Sequence, residues 1–239
     1  MEQEISLRCG LRLLYTCGPA EQEGSVQIGW FRYQLGRLLG KAVKDDLASK
    51  LDYVVPIPNS GLYYAMGAAE AMGITYLQAL VKRNSQRRTL QEQDQYIRKC
   101  MLLENIELLP GLLEGRRVAL VDEAIFTGTT LKIICEKLKA GGVAEIHIIL
   151  PTSVCASPCP FGRLPQRELL AQKVPAAEMK NYFGVASVTF LPDSTMRSFS
   201  DDFQPVCLEC FRQPWRPRSS TYHGLTISTD FFALSDPIT

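Results

Sequence analysis

The stretch Val118–Gly142, VALVDEAIFTGTTLKIICEKLKAGG, constrains the fold more than any other part of the chain. It opens with the strongest strand pattern in the sequence, RRVALVDEA. A helical pattern, LKIICEKLKA, follows and stops at Gly141, and a second apolar run, AEIHIILPT, comes after it. Strand, helix, strand in this order implies parallel strands joined by a right-handed crossover. The exit from the first strand is unusual. It passes two adjacent carboxylates, Asp122 and Glu123, and enters the helix through Thr127-Gly128-Thr129-Thr130.

The flanking patterns extend the same architecture. GWFRYQLGRLLGKAVKDDL places Phe31, Leu35, Leu38 and Leu39 at helical spacing with basic residues opposite. YVVPIP is a short apolar run closed by Pro58-Asn59-Ser60-Gly61, a strand stopped by turn residues. LYYAMGAAEAMG is a second helix, and its Gly and Ala content predicts close packing against the sheet. ITYLQALV reads as a strand or as the start of a loop, and KRNSQRRTLQEQDQYIRKC as a mobile basic surface loop. After Pro151 the texture changes to PTSVCASPCPFGRLP, a helix predicted in QRELLAQKV, and an irregular tail. At 239 residues the chain suffices for one sizeable core with a small appended lobe. The expected organisation is a domain over 1–210, including a hood at about 151–200, and a tail over 211–239.

Charge excludes some functions. Lys plus Arg number 26 against 25 Asp plus Glu, which gives no electrostatic case for nucleic acid. Apolar runs fall short of a membrane span and MEQEISLRCG has no signal pattern, so a cytoplasmic protein is expected.

In open parallel sheets ligands bind at the carboxyl ends of strands, where Asp122 sits. Thr127 to Thr130 offers backbone N–H groups, hydroxyls and a glycine at a helix start, which together make a phosphate cradle. The two acids repel phosphate and suit the vicinal hydroxyls of a ribose. A P-loop Gly-Lys-Ser/Thr and a G-x-G-x-x-G are both absent from the sequence. An acidic pair alone more often ends a strand and caps a helix. That plainer account leaves the glycine and three threonines in register unexplained.

VALVDEAIFTGTT resembles the phosphoribosyl diphosphate (PRPP) signature of type I phosphoribosyltransferases, and in particular that of the amidophosphoribosyltransferase family. VVPIPNSG resembles the diphosphate loop of that family, and ASPCPFGRLPQRELLA with MKNYFGVASVTFLP resembles its hood. The likeness spans roughly Cys9 to Cys210. It implies a type I phosphoribosyltransferase fold, an α/β parallel twisted sheet flanked by helices with a small hood.

By that resemblance Asp122 and Glu123 hold the ribose hydroxyls, and Thr127, Gly128, Thr129 and Thr130 hold the 5-phosphate. Asn59, Ser60 and Gly61 face the diphosphate with Mg2+. Lys82 and Arg88, in a loop from Lys82 to Thr89 that closes over PRPP, stabilise the leaving group. The chain departs from the family at Glu123 (Asp), Ala124 (Ser), Thr127 (Arg), Asn59 (Asp), and Asn84 and Ser85 (Arg and Tyr). The family's N-terminal glutaminase domain is expected to be absent as well. The expectation is therefore transfer of phosphoribosyl from PRPP to ammonia, or to an amine or heterocycle, with a separate glutaminase as a possible partner. The assembly expected is a homo-oligomer. A non-catalytic PRPP sensor is the rival from another class.

Eight cysteines in a chain of this character favour metal ligation or burial over disulfides. The iron-sulfur subclass of the same family places four ligands where this chain has Cys9, Cys159, Cys207 and Cys210, which implies a 4Fe-4S cluster. Tetrahedral Zn2+ suits four thiolates equally, and Cys155 and Cys17 lie near enough to substitute. Cys100 and Cys135 read as packed thiols. His147, in EIHIIL, reads as a packed histidine, and His223 lies in the uninformative tail.

Overall fold

A computed structural model of the chain describes residues 8–83, 105–159, 168–201 and 206–211. The described residues open with β1 (Arg8–Cys9), a π-helical turn over Arg12–Thr16, a small hairpin of β2 (Gln22–Glu23) and β3 (Val26–Gln27), and the long helix α1 (Ile28–Leu47). Next come β4 (Tyr53–Pro56), α2 (Leu62–Met72), β5 (Thr75–Tyr76), and a ribbon of β6 (Leu80–Lys82) with β7 (Ile106–Leu108). The second half holds β8 (Arg117–Val121), α3 (Thr129–Ala140), β9 (Glu145–Leu150), α4 (Met179–Phe183), β10 (Ser187–Phe190), α5 (Asp193–Asp201) and β11 (Val206–Cys207).

Five strands form one parallel sheet in the order β10-β9-β8-β4-β5. The alternation of side chains along each strand builds two cores. Val54, Ala119, Val121 and Ile149 face α1 and α2, whereas Val55, Val118, Leu120, Ile146 and Ile148 face α3 and α4. Helices therefore cover both faces, which is why these strands read as nearly unbroken apolar runs.

The two helices on the first face lie unusually close. A Cβ on Gly36 would sit 2.2 Å from the Tyr64 carbonyl oxygen, and one on Gly67 would sit 2.1 Å from that of Tyr33. The N-terminal segment is fastened to the same pair: the Tyr64 hydroxyl donates to the Leu14 carbonyl at 2.8 Å, and the Arg32 guanidinium donates to the carbonyls of Leu13 and Cys17. At the far end β1 pairs in parallel with β11, setting Cys9 opposite Cys207.

Several expectations are met closely, including α1, α2, β8, α3 with Gly141 at its end, and β9. One is corrected. Of QRELLAQKV, residues 168–174 are described, and they form only a 3-10 turn over Leu170–Gln172. The Leu170 N–H is engaged outside the segment, donating to the Phe126 carbonyl, and Pro175 follows at the boundary where a helix would have to continue. ITYLQALV resolves as β5 followed by a crossing into β6. Within 151–200, Ser187–Phe190 joins the edge of the main sheet beside β9. The basic loop lies outside the described residues from position 84 onward. Among the described residues no helix is long and apolar enough to cross a membrane.

Candidate functional site

The adjacent strands β4 and β8 end at the same edge of the sheet, in register from Tyr53 opposite Val118 to Pro56 opposite Val121. The two loops that leave them are therefore neighbours. The Ile57 N–H donates to the Val121 carbonyl at 2.9 Å, continuing the ladder into the loops. Gly61 closes the first loop against the second, since a Cβ there would stand 2.3 Å from the Val121 oxygen. Any side chain at 61 would push the loops apart.

Ser60 and Asp122, 62 positions apart in sequence, meet directly. The Ser60 hydroxyl donates to a carboxylate oxygen of Asp122 at 2.8 Å, and the Glu123 N–H donates to the same oxygen at 3.0 Å. Asp122 and Glu123 are both buried. Burial, and then the neighbouring Glu123 carboxyl, push Asp122 well above the usual carboxylate range. Glu123 keeps one buried carboxyl oxygen without a hydrogen-bond partner. A buried acid pair with an orphaned acceptor oxygen is an electrostatic vacancy for a hydroxyl donor or a cation.

Beyond the acids the loop turns through Gly128, whose φ of +74° places it in the left-handed region, and α3 begins at Thr129. Gly128 is covered by two apolar side chains, with the ideal Cβ position 2.7 Å from Leu170 and 3.4 Å from Phe183. The Thr127 hydroxyl lies 3.2 Å from that of Thr129 and accepts from the Thr129 N–H. Thr129 is exposed and Thr130 half-buried, so the first turn of a twelve-residue helix presents its N–H groups and hydroxyls toward solvent beside the acids.

The structure thus brings together Ser60, Gly61, Asp122, Glu123, Thr127, Gly128, Thr129 and Thr130. Asn59 is exposed beside Ser60, across a cis peptide from Pro58. Lys82 stands exposed on the β6–β7 ribbon with Ile106 opposite it, rather than among the partners of the carboxylates. Arg88 lies outside the described residues. The oxygen donors at Asn59, Ser60 and the acid pair fit a magnesium ion held mainly by phosphate oxygens of a ligand.

Cys9 and Cys207 face each other across the β1–β11 pair, and Cys210 follows in a 3-10 turn over Glu209–Phe211. Burial raises Cys9, with further contributions from the thiols of Cys210 and Cys159. Burial pushes Cys207 up to about 11, with Cys9 and Cys210 adding to the rise. A hydrogen bond with Cys155, then burial, push Cys210 higher still. Among the described residues no group of three or more His, Cys, Asp or Glu stands arranged to hold a metal, so these thiols are neighbours rather than a closed ligand set. Their raised pKa values favour the neutral thiols in this arrangement.

Cys17 is a buried thiol pointing at Glu23, pushed up to about 11 by burial, and belongs to the N-terminal packing instead. Cys135 is a buried core thiol on α3, and Cys100 lies outside the described residues. His147 is buried with its Nδ1 2.8 Å from the Ser187 hydroxyl, a packed residue between β9 and β10. Sequence inspection missed Thr152 and Phe126, which support the acid loop from behind. Thr152 is fully buried and donates to the Glu123 carbonyl at 2.9 Å, and the Phe126 ring lies between Tyr15 and Phe211. The signal that might have found Phe126 is a large aromatic side chain inside a loop of small residues.

Residues 31–157 match the model of the phosphoribosyl transferase domain family. The chain is 30% identical over 200 residues to the chloroplastic amidophosphoribosyltransferase of Vigna aconitifolia, covering 82% of this chain and 41% of that protein. It is 28% identical to the Bacillus subtilis amidophosphoribosyltransferase, covering 85% and 43%. It also resembles the solved structure of the glutamine PRPP amidotransferase from B. subtilis complexed with ADP and GMP, with a TM-score of 0.74, 27% identity, and coverage of 87% of this chain and 46% of that one. The chain therefore spans less than half the length of these relatives.

Proposed function

This chain belongs to the phosphoribosyl transferase domain family, and from that premise we propose that it transfers the phosphoribosyl group of PRPP to a nitrogen nucleophile with release of diphosphate. One observation carries the proposal: a buried acid pair with an unpartnered oxygen lies directly beside a glycine-opened helix N-terminus, at the carboxyl edge of a parallel sheet. A phosphorylated ribose supplies both a hydroxyl donor for the acids and a phosphate for the helix start.

In this reading the Glu123 and Asp122 carboxyls accept from the ribose hydroxyls, while the N–H groups and hydroxyls of Thr127, Thr129 and Thr130 hold the 5-phosphate. Gly128 lets the backbone approach that phosphate closely. Asn59, Ser60 and Gly61 lie where the adjoining loop faces the diphosphate. Breaking the bond from C1 to the diphosphate puts positive charge on the sugar and negative charge on the leaving group. The buried acids stabilise the first, and Lys82 and Arg88 serve the second when the loop closes. Mg2+ supplies charge neutralisation on the diphosphate when bound.

The acceptor is ammonia, free or delivered by a separate glutaminase, or an amine or heterocycle. Asn84 and Ser85, which stand where the amidophosphoribosyltransferase family has an Arg and a Tyr that help join its two active sites, support an altered acceptor. Cys9, Cys159, Cys207 and Cys210 are proposed as ligands of a 4Fe-4S cluster or of zinc, with a structural role.

Diphosphate release from PRPP and Mg2+ tests this, with ammonia, glutamine, amines and heterocycles offered separately to anaerobically purified protein. Release dependent on one acceptor is the expected outcome, and Asp122→Asn lowers it by on the order of 100-fold. Tight PRPP binding without release would assign the chain as a sensor, and no PRPP binding would overturn the site.

A further inference from the structure

An exposed aromatic side chain, Tyr15, lies against the candidate site. It is 38% exposed, and its ring centre stands 5.7 Å from that of Phe126. Phe126 occupies the loop between the acid pair and the glycine-opened helix start, so a ligand that spans the two lies alongside the residue on which Tyr15 rests. Both rings are held from behind. Tyr15 belongs to the π-helical turn Arg12–Thr16, a rare backbone form that is frequent at functional sites. The carbonyls of Leu13 and Cys17 accept from the buried Arg32 guanidinium, and that of Leu14 accepts from the fully buried Tyr64 hydroxyl, each at 2.8 Å. Burying a guanidinium is costly unless its hydrogen bonds are made, and here those bonds fix the backbone on either side of Tyr15. Phe126 in turn backs onto Phe211, with ring centres 6.5 Å apart, and its carbonyl accepts from the Leu170 N–H at 2.8 Å. A ring left in water on a rigid support gains most from a flat aromatic ligand laid on it, and ammonia gains nothing from such a surface.

We propose that Tyr15, braced by Phe126, is the acceptor platform, and that the acceptor is a planar nitrogen heterocycle stacked on Tyr15 rather than ammonia. The proposal deepens the function proposed above and rests on it. In the transfer, the lone pair of a ring nitrogen forms the bond to C1 of the ribose while the bond from C1 to the diphosphate oxygen breaks, and that electron pair leaves with the diphosphate. The proton of the ring nitrogen passes to the diphosphate, so no further reactant is consumed. Tyr15 is thus a specificity-determining residue: it holds the ring, while the acids and the helix start hold the phosphorylated sugar.

The test uses the full chain, with diphosphate release from PRPP and Mg2+ measured separately for ammonia, cyclohexylamine, imidazole, benzimidazole and adenine. Cyclohexylamine matches a six-membered ring in size without being flat. Expected is a kcat/KM about 10-fold or more higher for at least one flat ring than for ammonia or cyclohexylamine. Tyr15→Ala should lower the ratio of ring-acceptor to ammonia kcat/KM about 10-fold, mainly through the KM of the ring, and Tyr15→Phe, which keeps the aromatic face, should restore it. Titration calorimetry with PRPP and Mg2+ on each variant separates platform from scaffold. If Tyr15→Ala weakens PRPP binding as much as it weakens use of the ring, Tyr15 is a support for the loop and the platform is overturned. Ammonia or cyclohexylamine used as well as every ring, or ring use indifferent to Tyr15→Ala, overturns the platform and leaves the PRPP site standing. PRPP bound without release for any of these acceptors overturns the platform in favour of the sensor. Absence of PRPP binding overturns the functional reading, and the platform falls with it.

Discussion

Asp122 concentrates the conflict between binding and stability. Its folded-state pKa lies above the unfolded one, so the folded chain binds more protons, and stability falls as pH rises from about 4 through the raised value. Asp122→Asn removes this dependence. The variant should melt higher than the parent at neutral pH by roughly 2–4 °C, the shift that about 1 kcal/mol produces in a chain of this size, while losing PRPP binding. Scanning calorimetry from pH 4 to 8 checks both the slope and its disappearance. Gly128 illustrates the opposite demand. Gly128→Ala meets a positive φ and the Leu170 side chain together, so it should cost about 1–3 kcal/mol. Urea unfolding measures that loss, and Leu170→Ala in the same chain should recover only the steric part.

At the scale of elements, the crossing of α1 and α2 depends on two glycines seated against opposing carbonyls. Gly36→Val cannot be absorbed by rotamer changes, because the obstacle is the Tyr64 backbone. It should destabilise by about 3 kcal/mol or more. Since Tyr64 also holds Leu14, the variant should increase hydrogen exchange at residues 11–17 as well as in the two helices. Unchanged protection at 11–17 would show that the N-terminal segment is anchored independently. Both helices and their small-residue content were legible in the sequence. Their pairing through Gly36 and Gly67 was not, because these residues are 31 positions apart and neither spacing nor propensity says which glycine meets which carbonyl.

Across the whole molecule, the chain is closed by the pairing of β1 with β11, only two residues long on each side. Pairing this short contributes little by itself, so Leu208, Cys210 and Phe211, buried in the core that faces α1 and α2, carry the join. Cys207→Ser combined with Cys210→Ser should expose amides at 8–9 and 206–211 to exchange while β8 and β9 remain protected. A loss of protection throughout the sheet would instead make this closure essential to the entire fold.

The parallel order of strand and helix, the carboxyl-edge location of Asp122, and the glycine-opened helix start at Thr127–Thr130 were determined by sequence alone. Each follows from local periodicity or from a residue type that only a particular backbone tolerates, such as the glycine at 128. Tertiary structure decided the rest. It set Ser60 on Asp122 and left one Glu123 oxygen unpartnered. It also made the described part of the expected helix, residues 168–174, a short turn whose Leu170 N–H is bonded to Phe126, and placed Thr152 beneath the acid loop. These features depend on hydrogen bonds between distant segments, and the cost of leaving a buried polar group unpaired outweighs the local preferences that a sequence displays.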